Sequence, residues 1–327
     1  MDTTTIDKIL SLDAGASNIR AVIFDKNAKT IEDYRIERGG NISIDPEESS
    51  KIIISAISEI LDKAKLGYDD ISHFSLGVAG ISDKTAREML FKRLDEKNIS
   101  SKTHLSSDVN PVFEMNCSDN SAILVSVGTG CICLGRNLEN QIEKVGGLGL
   151  DDDSGSGYWM GKELILNLSF SKNEDYNEKD YNELLDMSLE FYQFSELNDA
   201  IDNIMSSNDR YKKVASICKP LFELAKKGNE IALSIVQQGS QHMADKILLL
   251  CDQISYTNDE IIIIANGGIL RDSFFRKALS DALSFDFTST KWLFPTISSA
   301  YYPGLISSKI LGINISINDI LKQKTMN

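Results

Sequence analysis

One device occurs twice in this chain and limits what it can fold into. "KILSLDAGASNIRAVIFD", residues 8–25, reads as an apolar strand, a turn of small polar residues and a second apolar strand. "SAILVSVGTGCICLGR", residues 121–136, repeats that plan with Gly128-Thr129-Gly130 at the turn. Apolar runs broken by Gly and Ser are hairpin signals. The chain has 327 residues, more than the roughly 100–200 of one domain, so two lobes built on the same hairpin are expected. Two further strands, "HFSLGVAGIS" and "EIIIIANGGIL", end in small residues, the second at Gly267-Gly268. Helices fall between the strands. "PEESSKIIISAISEILDKAK", 46–65, places apolar residues at 53, 57, 60, 61 and 64, one face of a helix. Asp45-Pro46 followed by Glu47 and Glu48 suits its N-terminus. "YKKVASICKPLFELAKKGN", 211–229, reads as one helix stopped at Gly228. The polar stretch 171–212 reads as a helical insertion. The fold class is α/β.

Composition narrows the function. A net charge of −14 with no basic cluster argues against nucleic acid, whose phosphates attract Lys and Arg. "MDTTTIDKIL" has neither a basic n-region nor an apolar h-region, and no apolar run approaches the ~20 residues of a membrane span. A cytoplasmic chain without membrane partners is expected. The five cysteines, Cys117, Cys131, Cys133, Cys218 and Cys251, are scattered and odd in number, unlike a disulfide framework. Three histidines, none near these thiols in sequence, make a zinc site a poor reading.

Glycine turns that end strands are where phosphates bind, because bare backbone N–H groups and hydroxyls approach an anion closely. The two best-known phosphate motifs are nevertheless missing. Gly161-Lys162 is followed by Glu163, so there is no P-loop, and Gly128-x-Gly130 runs into Cys131 and Ile132 rather than toward a third glycine. A separate puzzle is "VGGLGLDDDSGSGYWMG", 145–161, with Asp151, Asp152 and Asp153 in a glycine-rich loop. An EF-hand counted from Asp151 puts Ser156 at its sixth position and Lys162 at its twelfth, where Gly and Glu are needed. By composition alone the loop remains a ligand site or a polar turn.

Taken in order, D-x-G-x-S at 13–17, S-D at 107–108, G-T-G at 128–130, the Asp/Gly loop at 146–157 and N-G-G at 266–268 resemble the sugar kinase/Hsp70/actin superfamily. Within it, "GGLGLDDDSGSGYWMG" is similar to a segment of the N-acetylglucosamine kinases and hexokinase-like members of the BadF/BadG/BcrA/BcrD ATPase family. The resemblance implies an actin-like ATPase fold of two RNase H-like lobes with an interlobe cleft. It divides the chain into 1–113, completed by a C-terminal helix at 297–327, and 114–296 with the helical insertion. It implies an ATP- and Mg²⁺-dependent kinase that phosphorylates a hexose or N-acetylhexosamine at the 6-hydroxyl, working as a homodimer on a small sugar.

The same resemblance assigns roles. Asp13 holds Mg²⁺, and a single carboxylate suffices because Mg²⁺ keeps several waters. Gly15 and Ser17 cradle phosphate, as do Gly128, Thr129 and Gly130. Ser216, Gly267, Gly268 and Arg271 contact ATP. Asp108, in "LSSDVNP", is the general base, and positioning matters more than base strength in phosphoryl transfer. Asn41, Asp108, Cys131, Ile132, Gly147, Leu148, Gly149 and Asp153 meet the sugar, with Leu148 standing where the family carries Trp. Two other readings stay open: an activator ATPase of a 2-hydroxyacyl-CoA dehydratase, which holds an iron–sulfur cluster on thiolates, and a non-catalytic sugar sensor.

Overall fold

In the computed structural model, which describes residues 7–117, 119–170 and 177–326, each copy of the hairpin is the middle of a five-stranded sheet. The chain divides into two compact units, residues 1–118 with 295–327, and residues 119–294. In the first, β1 (Lys8–Ala14), β2 (Ile19–Asp25) and β3 (Thr30–Ile36) form an antiparallel meander. Helix α1 (Pro46–Ala64) leads to β4 (His73–Val78), which pairs in parallel with β1. Helix α2 (Lys84–Glu96), β5 (Thr103–Ser106), parallel to β4, and α3 (Asn110–Asn116) follow.

The second unit repeats the pattern. Strands β6 (Ile123–Val127), β7 (Cys131–Arg136) and β8 (Ile142–Gly146) are antiparallel neighbours. Six helices come next: α4 (Gly157–Phe170), α5 (Glu178–Tyr192), α6 (Leu197–Met205), α7 (Arg210–Ser216), α8 (Cys218–Lys226) and α9 (Glu230–Gln253). Strand β9 (Glu260–Asn266) then pairs in parallel with β6, and after α10 (Ser273–Leu283), β10 (Ser289–Leu293) pairs with β9. The chain returns to the first unit with α11 (Tyr301–Ile310) and α12 (Ile317–Met326). In both sheets the strand order is third, second, first, fourth, fifth, so the duplicated hairpin belongs to a duplicated architecture.

Local chemistry explains these elements. β1 is central, and six of its seven residues are buried, as in a strand covered on both faces. β3, at the edge, alternates half-buried and exposed residues. Asp45 caps α1 by accepting the Glu48 N–H, with Pro46 at the first turn. The first core gathers Leu10, Leu12, Ile53, Ile57 and Phe74. The second gathers Ile123, Val125, Leu221, Phe222 and Ile247.

Two helical expectations need correction. The span 211–229 is not one helix, because α7 stops at Ser216 and α8 starts at Cys218. Pro220 has no N–H to give to the Ser216 carbonyl four residues back, and its ring would clash there. Inside the first turn of α8 the same proline is tolerated. The C-terminal segment is likewise two helices, with Gly312 in the left-handed region (φ 77°) after the first. Helices α5 and α6 and the start of α7 lie in the polar stretch 171–212, of which 171–176 fall outside the described residues.

Candidate active site

In the first unit the chemistry collects where β1, β4 and β5 end. Asp13, one residue from the end of β1, is 8% exposed. Ser299, just before α11, donates to its Oδ2. Arg20 faces Asp13 in the β1–β2 register. Its Nη1 donates to Ser299 Oγ at 3.1 Å and lies 3.7 Å from the same Asp13 oxygen. Burial pushes the Asp13 carboxyl above its ordinary range, while Ser299 and Arg20 pull it back. Asp108 is half-buried in the short connection from β5 to α3. Burial first and the charge of Asp13 second raise it to about 7, against the backbone N–H groups of Asp108 and Val109. A carboxylate raised by the charge of a second one marks uncompensated negative charge.

The neighbouring turns are tied to this sheet edge. Ser17 lies in the β1–β2 turn with Gly15, whose carbonyl accepts the Gly40 N–H at 2.9 Å. Asn41 Oδ1 accepts from Ser43 N at 3.0 Å and from Ser43 Oγ at 2.8 Å, an Asx turn. Its carbonyl half is therefore engaged, and the amide Nδ2 is the half suited to a ligand.

In the second unit the β6–β7 turn and the aspartate loop are built on each other. The carbonyls of Gly128 and Thr129 accept the N–H groups of Gly157 (2.8 Å) and Tyr158 (3.0 Å), satisfying donors at the start of α4. A side chain at Gly130 would put its Cβ 2.8 Å from Asp153 Oδ2. Asp153, 3% exposed, points inward. Its Oδ1 accepts from Gly147 N (3.0 Å) and Leu148 N (3.2 Å), and its Oδ2 from Cys131 N (3.2 Å). Burial raises its pKa, and these three N–H groups together with the Lys246 charge oppose the rise. Cys131 also turns inward: its thiol lies in the core and donates to the Ser154 carbonyl at 3.5 Å.

Of the residues the resemblance assigns to the sugar, Cys131 packs its side chain in the interior, and Asp153 uses both oxygens to hold the loop to β7. Leu148, by contrast, is 78% exposed, and Ile132 lies under Gly147. Asp151 and Asp152 are exposed. Asp151 accepts from Tyr211 Oη at 3.1 Å, and the Tyr211 ring lies 4.8 Å from that of Tyr158.

The remaining predicted positions divide. Gly267 (φ 87°) lies against β6, where any side chain would meet the Val127 carbonyl, and Asn266 Nδ2 donates to Ser126 Oγ at 3.0 Å. The Gly267-Gly268 loop is thus beside the β6–β7 turn. Arg271 is exposed in a single 3-10 turn, and Ser216 is exposed at the end of α7, its Oγ donating to Lys213 O at 2.6 Å. Ala215, one residue before Ser216, neighbours Gly157. Sequence reading missed Arg20, Ser299 and Lys246. Arg20 was legible from hairpin counting, because a turn at 15–18 pairs residue 13 with residue 20.

Mg²⁺ fits the first unit. Ser299 and Arg20 engage one oxygen of Asp13, Oδ2, so Oδ1 is available to a cation or its water. The excess negative charge of Asp13 and Asp108 is what a divalent cation offsets. Among the described residues no cluster of three or more His, Cys, Asp or Glu forms a cage; a hydrated Mg²⁺ needs only one or two carboxylates.

Two five-stranded sheets of one strand order, with glycine turns at their strand ends, are the architecture of the actin-like fold. Residues 10–298 match the BadF/BadG/BcrA/BcrD ATPase family, and the chain belongs to it. An N-acetylmuramic acid/N-acetylglucosamine kinase of Clostridium acetobutylicum is 21% identical over 266 residues, 81% of this chain and 86% of that protein. An N-acetyl-D-glucosamine kinase of Dictyostelium discoideum is 22% identical over 289 residues, 84% of this chain and 88% of that protein. Among solved structures, a ROK family glucokinase from Streptomyces griseus, in complex with glucose and AMPPNP, has a TM-score of 0.57 at 10% identity, covering 93% of this chain and 98% of that one. That likeness supports the fold.

Proposed function

We propose that the chain is an ATP-dependent carbohydrate kinase that phosphorylates the 6-hydroxyl of a hexose or N-acetylhexosamine, with N-acetylglucosamine the first sugar to test. The observation that carries this reading is Asp108, a half-buried carboxylate raised to about 7 beside a second buried carboxylate. A general base works best with a pKa near the working pH. Asp108 takes the proton of the attacking hydroxyl as its oxygen bonds to the γ-phosphorus of ATP and ADP leaves. Asp13 is the residue that would hold Mg²⁺, which supplies positive charge beside the phosphates. Thr129 and its flanking glycines offer donors to phosphate oxygens. Gly267, Gly268, Arg271 and Ser216 serve the nucleotide, and Asn41 Nδ2 and the Gly147–Gly149 segment serve the sugar. Both curated relatives being named as N-acetylglucosamine-type kinases supports the substrate class.

The activator reading is weaker because all five cysteines are buried, whereas a cluster shared between subunits needs thiols at a surface. The sensor reading is weaker because Asp13, Asp108 and Thr129 are all present. No helix among the described residues is long and apolar enough to cross a membrane; a cytoplasmic homodimer is the setting proposed by resemblance. The decisive experiment is coupled ADP release across hexoses, amino sugars and N-acetylated sugars, with the phosphorylated carbon located by NMR. If no sugar raises ADP release above the sugar-free rate, the kinase reading is wrong.

A further inference from the structure

The half-buried lysine on α9 has no part in the proposed chemistry, yet it reaches the loop assigned to the sugar. Lys246 Nζ donates to Ser154 O at 3.0 Å and to Ser154 Oγ at 2.7 Å, across 92 residues of sequence. Residues 239, 242, 243 and 246 follow the spacing of one helix face, and each meets the loop or the start of α4. Gly239 lies against Met160. The His242 ring sits 4.8 Å from that of Trp159, edge-on. Gly155, in the left-handed region (φ 82°), fits so closely that a Cβ there would be 2.7 Å from the Gly239 carbonyl and 3.0 Å from Met243. The second half of the loop therefore rests on α9. Its first half is held by Asp153, the residue before Ser154, through the N–H groups of Gly147, Leu148 and Cys131.

We propose that Lys246 is a positioning residue for the sugar-binding loop: through Ser154 it anchors the segment whose Asp153 carboxylate holds the Gly147–Gly149 arm in place. The proposal rests on the sugar-kinase reading for the identity of the ligand. The physical logic is separate. A buried carboxylate surrounded by N–H donors is stable only while those donors stay aligned, and a nearby ammonium offsets its charge. Removing the ammonium loosens Ser154, then Asp153, then the arm, although Lys246 itself touches no sugar.

The test uses the full chain with Lys246→Met, which keeps the aliphatic stem, and Lys246→Arg, which restores the charge. Ser154→Ala, losing only the Oγ contact, covers the event that Lys246→Met fails to fold. Hydrogen exchange should show the Gly147 and Leu148 amides exchanging at least about tenfold faster in Lys246→Met, with partial recovery in Lys246→Arg and a smaller change in Ser154→Ala. KM for N-acetylglucosamine, or for whichever sugar the wild type turns over best, should rise about tenfold while kcat stays within about threefold. Unchanged loop exchange with unchanged KM overturns the proposal, as does an equal fall of kcat with KM unmoved. A wild type that turns over no sugar sinks the kinase reading instead, and the exchange comparison still decides this one.

Discussion

Asp108 in the first unit and Asp153 in the second are both carboxylates whose pKa burial raises, yet their surroundings ask opposite things of them. Asp153 has three backbone donors on its two oxygens and a lysine nearby. These donors and the ammonium offset part of the burial, and they tie the carboxylate into the fold. Asp108 has its own and Val109's N–H, but it also faces Asp13, a second carboxylate. Its charge is under-compensated, which costs stability and leaves it free to take a proton. A raised pKa thus marks a reactive group only where the hydrogen-bond inventory leaves the group unsatisfied.

The largest expected effect tests that contrast at the reactive end. Asp108→Asn should lower kcat by about 10²–10⁴-fold with little change in ATP affinity. Retention of more than about a third of wild-type kcat would remove the residue from the mechanism. In the wild type, kcat/KM should fall as pH drops through about 7, because the base becomes protonated; a rate flat from pH 5 to 8 would contradict the assignment.

At the structural end, Asp153→Ala should weaken sugar binding by about 10- to 150-fold and lower Tm, since it strands three donors. Asp151→Ala, which loses an exposed tyrosine contact, should stay within a few-fold. Titration calorimetry with sugar and thermal melts of both variants make the comparison. Equal losses would show the aspartates acting as one cluster, with Asp153 in no special place.

A smaller effect concerns Asp13. Ser299→Ala removes a donor that orients Asp13 and lowers its pKa, and Mn²⁺ binding in the presence of ADP, followed by electron paramagnetic resonance, should weaken by up to about tenfold. Unaltered Mn²⁺ affinity would leave Ser299 as packing only.

The smallest effect is on stability, and its sign separates the two carboxylates. Below 3.8, its ordinary value, Asp108 is protonated in both folded and unfolded chains. Between 3.8 and about 7 the unfolded chain releases the proton first, so stability drains as pH rises, and above that window the cost is constant. Asp108→Asn should therefore melt about 2–4 °C higher than wild type at pH 8, with the gain shrinking toward pH 5. A Tm lowered at pH 8 would mean the carboxylate is satisfied after all, like Asp153.

Much of the architecture was legible because its signals are local. The two hairpins, the Asp45-Pro46 helix start and the strands at 73–78 and 260–266 each follow from a few adjacent residues. Reading 211–229 as one helix failed although the cause, Pro220, is itself local: the apolar periodicity continues past the break. The motif order picked out Asp13, Asp108 and the glycine turns as candidates. It did not reveal which way Asp153 or Cys131 points, because alternation along a loop has no fixed period.

What sequence by itself determined, then, is where strands, turns and candidate carboxylates occur, since those depend on neighbours within one turn or one hairpin. Tertiary structure alone decided which carboxylate is spent and which is spare. Ser299 reaches Asp13 across 286 residues and Lys246 reaches Ser154 across 92. A carboxylate's protonation depends on burial and on every donor or charge within a few ångströms, and no stretch of neighbouring residues contains that information.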